Sequence, residues 1–429
     1  LNEEIMTDFS PERDFALELD SSDPLAGYRQ RFVIADPDLI YLDGNSLGRL
    51  PKATAKRLAD LVNREWGADL VRGWSQGWWD SPARVGEGIA KLVGAAPGQV
   101  LVGDSTSVDL FKLAAAALQL RPERTKIVTD TLNFPSNLYI LQGLARLLGG
   151  RHRILRIGSQ DGEITPDLEA LYAAIDEETT LVTLSHVVFK SGYLYDMAEV
   201  TRRAHEKGAL VLWDLSHAVG AVPIELDACQ ADFAIGCTYK YLNGGPGSPA
   251  FIYVNKSLQD KAISPIWGWW GQHMPFAFDL DYAPAPGAAR FLAGSQPILS
   301  LLAMEASLEP LLEAGMGAIR EKSLRLTEYA ISLHDQLLTP LGFRLGSPRE
   351  SVRRGSHVSI RHPEGYRINR ALIEEMKVIP DFREPDNLRL GFAPLYTSFE
   401  DVWQGLERIR KVVAEKVYEK YSSDKATVT

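Results

Sequence analysis

Cysteine is nearly absent from this chain of 429 residues: Cys229 and Cys237 are the only two. Their number and placement, the second inside an apolar run, argue against a disulfide framework and suit a reducing compartment. Basic excess is missing too, with 46 Lys and Arg against 56 Asp and Glu for a net charge of −10. Without a basic block, nucleic acid and anionic membranes drop out as principal partners. No apolar run reaches the length of a membrane span, and Leu1 to Asp14 is charged rather than leader-like, so the cytoplasm is the expected compartment. Internal repeats are also lacking. What is present is ordinary for a globular protein, 45% hydrophobic and 24% charged, with length for a large domain and a smaller one.

From residue 85 to about 255 short apolar runs alternate with helical patterns, which predicts an α/β domain with a mainly parallel sheet covered by helices on both faces. Strands are expected at Val100–Val102, Lys126–Asp130, Ile154–Ile157, Leu181–Ser185, Leu210–Asp214 and Phe233–Cys237. Pro51 to Trp66 reads as an amphipathic helix, and Leu299–Gly315 and Ala318–Leu338 as long helices. A smaller α+β unit closes the chain, with strands near 342–345, 355–361 and 387–392, helices at 367–376 and 398–421, and a frayed tail from Ser422. The expected division is an N-terminal segment, 1–50, that joins the small domain, a large domain, 51–300, and a small domain, 301–429.

Chemistry concentrates where strands end. Phe233 to Cys237 is apolar and leads through Thr238-Tyr-Lys-Tyr241 into the glycine-rich loop Asn243-Gly-Gly-Pro-Gly247. A lysine leaving a buried strand there is easily depressed in pKa, as a Schiff-base amine requires, although a strand-end lysine can also simply snorkel to water. Upstream, Leu210-Val-Leu-Trp-Asp214 ends in a carboxylate, followed by Ser216 and His217. Alone, Asp214 would read as a helix N-cap. Together, Asp214 and Lys240 at strand ends are what pyridoxal phosphate needs, one to keep its ring nitrogen protonated and one to bond its aldehyde. Lys190, which also follows a strand, is a rival lacking the glycine loop.

Other segments fit around that pair. Gly103-Asp-Ser-Thr-Ser107 opens a helix at Val108, a place for a phosphate or for ordinary N-capping. Phe134 could stack on a ring or staple a helix start. Val71 to Trp79 packs three tryptophans into a glycine-broken loop, either a core plug or an aromatic wall over a planar substrate. The loop-rich stretch Pro265–Pro297 is placed to bridge domains or subunits. Arg389 alternates with Leu388 and Leu390, which would turn its guanidinium away from the core, or leave it at the surface.

Gly44-Asn-Ser-Leu-Gly48, Phe134-Pro-Ser-Asn137, Asp214-Leu-Ser-His217, Tyr239-Lys-Tyr-Leu-Asn243, Gly268-Trp-Trp-Gly271 and Pro394-Leu-Tyr396 together resemble the kynureninase family, from about Asp43 to Phe399. That resemblance implies the fold of fold-type I pyridoxal-phosphate enzymes, with a seven-stranded large-domain sheet, and hydrolysis of L-kynurenine to anthranilate and L-alanine. It implies that Lys240 bonds the cofactor, that Tyr239 binds its phosphate and moves protons, and that Asp214 pairs with the ring nitrogen. Ser185 and His217 would lie near the ring, Phe134 would stack on it, and Thr106, Ser107, Ser136 and Asn137 would complete the cofactor's surroundings. Trp269 and Ser295 would reach the neighbouring subunit's cofactor in a homodimer. Arg389 would clamp the substrate carboxylate, with Asn45, Ser46 and Trp74 also at the substrate. The chain departs from the family at Asn137, often Asp, and at Ser295, where some members carry Asn. A cysteine desulfurase or class V aminotransferase, or a non-catalytic scaffold, would share parts of this pattern. A desulfurase would need a mobile cysteine in its C-terminal half, and the only cysteines, Cys229 and Cys237, fall within the sheet region.

Overall fold

The strand β1 (Ile40–Tyr41) precedes seven more that build one sheet: β2 (Val100–Val102), β3 (Lys126–Asp130), β4 (Arg153–Ile157), β5 (Thr179–Ser185), β6 (Leu210–Asp214), β7 (Phe233–Gly236) and β8 (Phe251–Val254). These are seen in a computed structural model that describes residues 9–424. The tail expected to fray thus lies outside the described residues from 425 onward, as do the first eight residues. The spatial order is β2-β8-β7-β6-β5-β3-β4, with only β8 antiparallel to its neighbours. A seven-stranded, mainly parallel sheet was expected. Strand β8 is an addition that the sequence did not announce.

Both faces of the sheet's centre are covered, which is why β6, β7 and β8 are buried along their whole length and nearly all apolar, while the edge strand β4 carries exposed arginines. Leu210 and Leu212 face one core with Leu110, Leu113, Leu141 and Leu144, from helices Thr106–Leu120 and Pro135–Leu147. Val211 and Trp213, one residue out of phase, face the other core with Ile89, Val200 and Leu301. The helix Ile298–Ala314, expected with the small domain from residue 301, contributes Leu301, Met304 and Leu308 to this large-sheet core. The predicted helix at Pro51 runs as Lys52–Asp60 and continues in wider π turns to Asp69.

The second unit is a four-stranded antiparallel sheet, ordered β12-β13-β10-β9, from β9 (Arg344–Leu345), β10 (His357–Arg361), β12 (Asp381–Arg383) and β13 (Asn387–Gly391); β11 (Val378–Ile379) lies outside it and pairs in parallel with β1. Val358, Ile360, Leu388 and Leu390 share a core with Ala16, Leu19, Ile40 and Leu42, so the N-terminal segment packs on this unit. Strand alternation then sends His357, Ser359, Arg389 and Asp381 to the opposite face. The helix Phe399–Ala414 starts with a capping box between Ser398 and Asp401.

Candidate active site

Parallel register sets the floor of the site. Ser185 at the end of β5 pairs directly with Asp214 at the end of β6, and Asp214 with Ile235 of β7. Four residues beyond β7, Lys240 places its Nζ 2.6 Å from His217 Nε2. Lys240 is half-buried as a residue, but its amine sits deep in protein, and desolvation pulls its pKa below that of a free lysine against the opposing pull of Cys237 and Asp214. His217 is held well below its ordinary range by burial first and by the Lys240 charge second, so its imidazole is neutral. Its Nδ1 is buried without a partner.

The turn that carries Lys240 is locked from the N-terminal segment. Gly48 N–H donates to the Tyr239 carbonyl at 2.8 Å, and a Cβ on Gly48 would overlap the Lys240 carbonyl and Asn243 Oδ1. This close approach is the physical reason for the second glycine of Gly44-Asn-Ser-Leu-Gly48. The Tyr239 phenol is pushed up by neighbouring Cys237 and by burial, so it holds its proton.

Asp214 is fixed by hydrogen bonds. Its Oδ1 accepts from the Ser216 N–H at 2.9 Å and its Oδ2 from Asn137 Nδ2 at 2.8 Å. The departure from the family at position 137 thus has a physical reading, because an amide offers Asp214 a donor that an ionised Asp could not. Asn133 ties the arrangement together. Its Oδ1 accepts from the Phe134 N–H, Asn137 Nδ2 and Ser185 Oγ at 2.8 to 2.9 Å, while its Nδ2 donates to Thr129 Oγ1 and the Thr183 carbonyl. Sequence reasoning missed Asn133; the signal was an amide four residues before Asn137 at the start of a helix. Phe134 itself is exposed, its ring edge-on to Phe189.

Ser107 and Ser136 lie 3.1 Å apart, Oγ to Oγ, at the starts of the helices Thr106–Leu120 and Pro135–Leu147. The helix Thr106–Leu120 has no side-chain cap, so its first N–H groups remain available to an anion, whereas the second helix opens on Pro135, which has no N–H to offer. A desolvated lysine, a fixed carboxylate on the neighbouring strand and two hydroxyls at uncapped helix starts are a donor set that fits pyridoxal phosphate.

Arg389 is buried on the face of the small unit's sheet opposite its apolar core and donates to the carbonyl of Phe189 beyond β5, its pKa lowered chiefly by burial. Asn45 is fully buried and neither of its amide atoms has a partner, and Ser46 Oγ accepts from Arg389. His357, also missed, is buried with its ring centroid 5.6 Å from that of His217; burial, Arg389 and Lys240 hold it down to about 3. The alternation of β10 was the signal for it. Three expected residues are not brought to Lys240 within one chain. Trp74 packs edge-on to Trp78 and Trp270, Trp269 sits against Trp79 and Phe276, and Ser295 is exposed. The rival Lys190 is engaged elsewhere, 2.6 Å from Glu163.

The family model of the kynureninase C-terminal domain matches residues 319–409. The chain is 45% identical to kynureninase of Pseudomonas fluorescens over 411 residues, 95% of this chain and 96% of that one. It is also 45% identical to kynureninase of Burkholderia pseudomallei (strain 1106a) over 406 residues, covering 94% and 95%. Among solved structures, the apo cysteine desulfurase of Thermococcus onnurineus NA1 aligns with a TM-score of 0.77 at 20% identity, covering 93% of this chain and 98% of that one. A C-DES mutant with glycine covalently linked to its PLP cofactor aligns at 0.75 with 16% identity, covering 87% and 97%. At such identities these two speak for the fold alone.

Proposed function

The chain belongs to the kynureninase family, and on that premise we propose which of its residues carry the reaction. It hydrolyses L-kynurenine to anthranilate and L-alanine, a carbon–carbon cleavage in a ketonic substrate that belongs to tryptophan catabolism, with pyridoxal 5'-phosphate as cofactor. When bound, that cofactor supplies an electron sink beside the substrate's α-carbon. Lys240 would hold its aldehyde carbon, Asp214 its ring nitrogen and Phe134 a ring face, with Ser185 and His217 beside it. Thr106, Ser107, Ser136 and Tyr239 would hold its phosphate, and Asn137 acts through Asp214. The observation that carries this reading is the desolvated Lys240 amine paired with neutral His217 beside an Asp214 fixed by Asn137.

Burial lowers the Lys240 pKa and so eases loss of its proton, which suits Lys240 to take and return the proton at the substrate α-carbon. Tyr239, which keeps its proton, is a donor within the same turn. Arg389 orients the substrate by its carboxylate, with Asn45 and Ser46 on the same wall, and this orientation selects which bond breaks. Trp74, which within one chain packs on Trp78 and Trp270 and not beside Lys240, is assigned to the substrate's aryl ring on the family resemblance alone. Its indole offers a single N–H, so 3-hydroxykynurenine should be the poorer substrate, by on the order of tenfold in kcat/KM from an incompletely paired hydroxyl. Equal or reversed values for the two substrates would remove Trp74 from that role.

The enzyme is also proposed to be a cytoplasmic homodimer in which Trp269 and Ser295 reach the partner's cofactor. Supporting this, the loop that carries Trp269 exposes Trp267, Phe276, Phe278 and Leu280, more apolar surface than a monomer usually leaves to water. Cys229 and Cys237 are both unpaired, which fits a reducing compartment, and no helix among the described residues is long and apolar enough to cross a membrane. The test of the main reading is direct. Purified protein with cofactor should convert L-kynurenine to fluorescent anthranilate, and Lys240→Ala should abolish it while staying folded. Faster release of alanine from L-cysteine than from kynurenine would favour a desulfurase instead.

A further inference from the structure

Arg389 is a cation almost without water. Its side chain is 1% exposed, and three separate parts of the chain hold its guanidinium. Nη1 donates to the carbonyl of Phe189, just past β5, at 2.7 Å. Nη2 donates to Ser46 Oγ at 2.9 Å and to Oδ2 of Asp381, the residue directly across the β12–β13 ladder. Ser46 Oγ in turn donates to that same carboxylate oxygen at 3.3 Å. A second arginine, Arg383, reaches the oxygen at 3.0 Å, and its side chain is 38% exposed. Asp43 stands nearby, its carboxyl pushed up to about 6 by burial and by the charge of Asp381.

A buried guanidinium needs an anion, and its planar fork accepts one carboxylate well. In this chain the anion is already built in, because Asp381 occupies Nη2. An amino-acid substrate brings a second carboxylate to the same fork. Two carboxylates a few ångströms apart repel, so the newcomer has to compete with Asp381. Arg383 offers Asp381 an alternative partner, since one oxygen is already shared between the two arginines.

We infer that Asp381 is a specificity-determining residue that occupies the Arg389 fork as a stand-in carboxylate. It yields the fork to the substrate's α-carboxylate by shifting its pairing to Arg383. This rests on the reading of Arg389 as the carboxylate clamp and deepens it. A ligand without a carboxylate cannot displace Asp381, so amines and amides are discriminated against, and the buried cation is never left unpaired between turnovers.

The experiment uses the cofactor-loaded protein and calorimetric titration with L-alanine, against L-alaninamide as the probe that lacks a carboxylate. Asp381→Asn keeps the side chain's shape and one acceptor but removes the competing charge. It should bind L-alanine at least fivefold more tightly, with affinity for L-alaninamide unchanged and KM for kynurenine falling by more than kcat does. Its melting temperature should drop, because a buried guanidinium has lost its ion. A residue that only supports the fold would give weaker or unchanged L-alanine binding, and that result overturns the inference. If Asp381→Asn does not fold, Arg383→Gln carries the test. It leaves Asp381 to Arg389 alone, so L-alanine should bind at least threefold more weakly, and unchanged affinity overturns the inference. Arg389→Lys separates the premise from the inference. Loss of L-alanine affinity there, without a gain in Asp381→Asn, sinks the stand-in alone; no loss in Arg389→Lys sinks the clamp and the stand-in together.

Discussion

His357 faces His217, Arg389 and Lys240, and burial first, then those two cations, hold it down to about 3. Its folded pKa is therefore depressed below the unfolded value near 6.5. The stability it permits is fully present above about pH 6.5 and is lost, at about 1.4 kcal/mol per unit, as pH falls toward 3. His357→Gln has no such group to charge. Relative to wild type, the variant should thus gain about 2 kcal/mol of stability between pH 7.5 and pH 5, read from urea midpoints at the two pH values. Parallel pH dependence in the two proteins would show that His357 is charged or solvated in the native state. At this scale the sequence was informative where one residue sufficed. Asp214 and Lys240 announce themselves as charges at the ends of apolar runs, and Arg389 as a charge between leucines. Asn133, His357 and Asp381 did not, because their roles depend on which residue lies across a ladder or one helical turn away. That register is a property of the folded pair of strands, not of either strand alone.

Among the elements, the helix Thr106–Leu120 has the most exacting start. The turn before it bends through Asp104 in the left-handed region, with φ of 52°. Lys112, 2% exposed at its side chain, holds the turn by contacts of 2.8 Å to Asp104, to Asp109 and to the carbonyl of Phe291, from the segment that leads on to Ser295. Asp109 is pushed up to about 7 by burial, against the pull of Lys112. Lys112→Met would strip two carboxylates of their shared cation, at a cost of about 3 kcal/mol. A carboxyl with a raised folded pKa loses stability as pH rises, so without Lys112 the deficit should be larger at pH 8 than at pH 6. Cofactor affinity should fall about tenfold, as the turn beside Ser107 loosens. Unchanged cofactor titration in Lys112→Met would mean that the turn is held by its own backbone. Most elements were legible because strands buried on both faces and helices with one apolar stripe leave different periods. Strand β8 was not, since four apolar residues after a glycine-rich loop carry no period of their own. The helix Ile298–Ala314 was found as a helix but assigned to the wrong side, because an element that is apolar nearly all round does not say which core it joins.

For the whole molecule the open question is how many chains make one site. A single chain supplies Lys240, Asp214, Arg389 and the hydroxyls of Ser107 and Ser136, yet leaves Trp269 and Ser295 away from them, on a face rich in exposed aromatic rings. No reading of one chain's periodicity could reveal such an arrangement, because the partner's residues leave no mark on local pattern. If two chains share their sites, damage in different chains can be complemented. Lys240→Ala removes the base from its own chain's site, and Trp269→Ala removes the contact that its chain lends to the partner's site. In a hybrid dimer one site then carries both defects, and the other carries none. Random reassociation of equal amounts yields about half hybrids, each with one intact site of two, so about a quarter of wild-type activity should return to a mixture of two inactive proteins. The recovery should follow the rate of subunit exchange and vanish if either variant is omitted. A single sedimenting species of monomer mass at working concentration would rule out shared sites. So would a mixture that stays inactive: if each chain's site is complete in itself, no combination of chains brings an intact Lys240 together with a repaired Trp269 in the same chain.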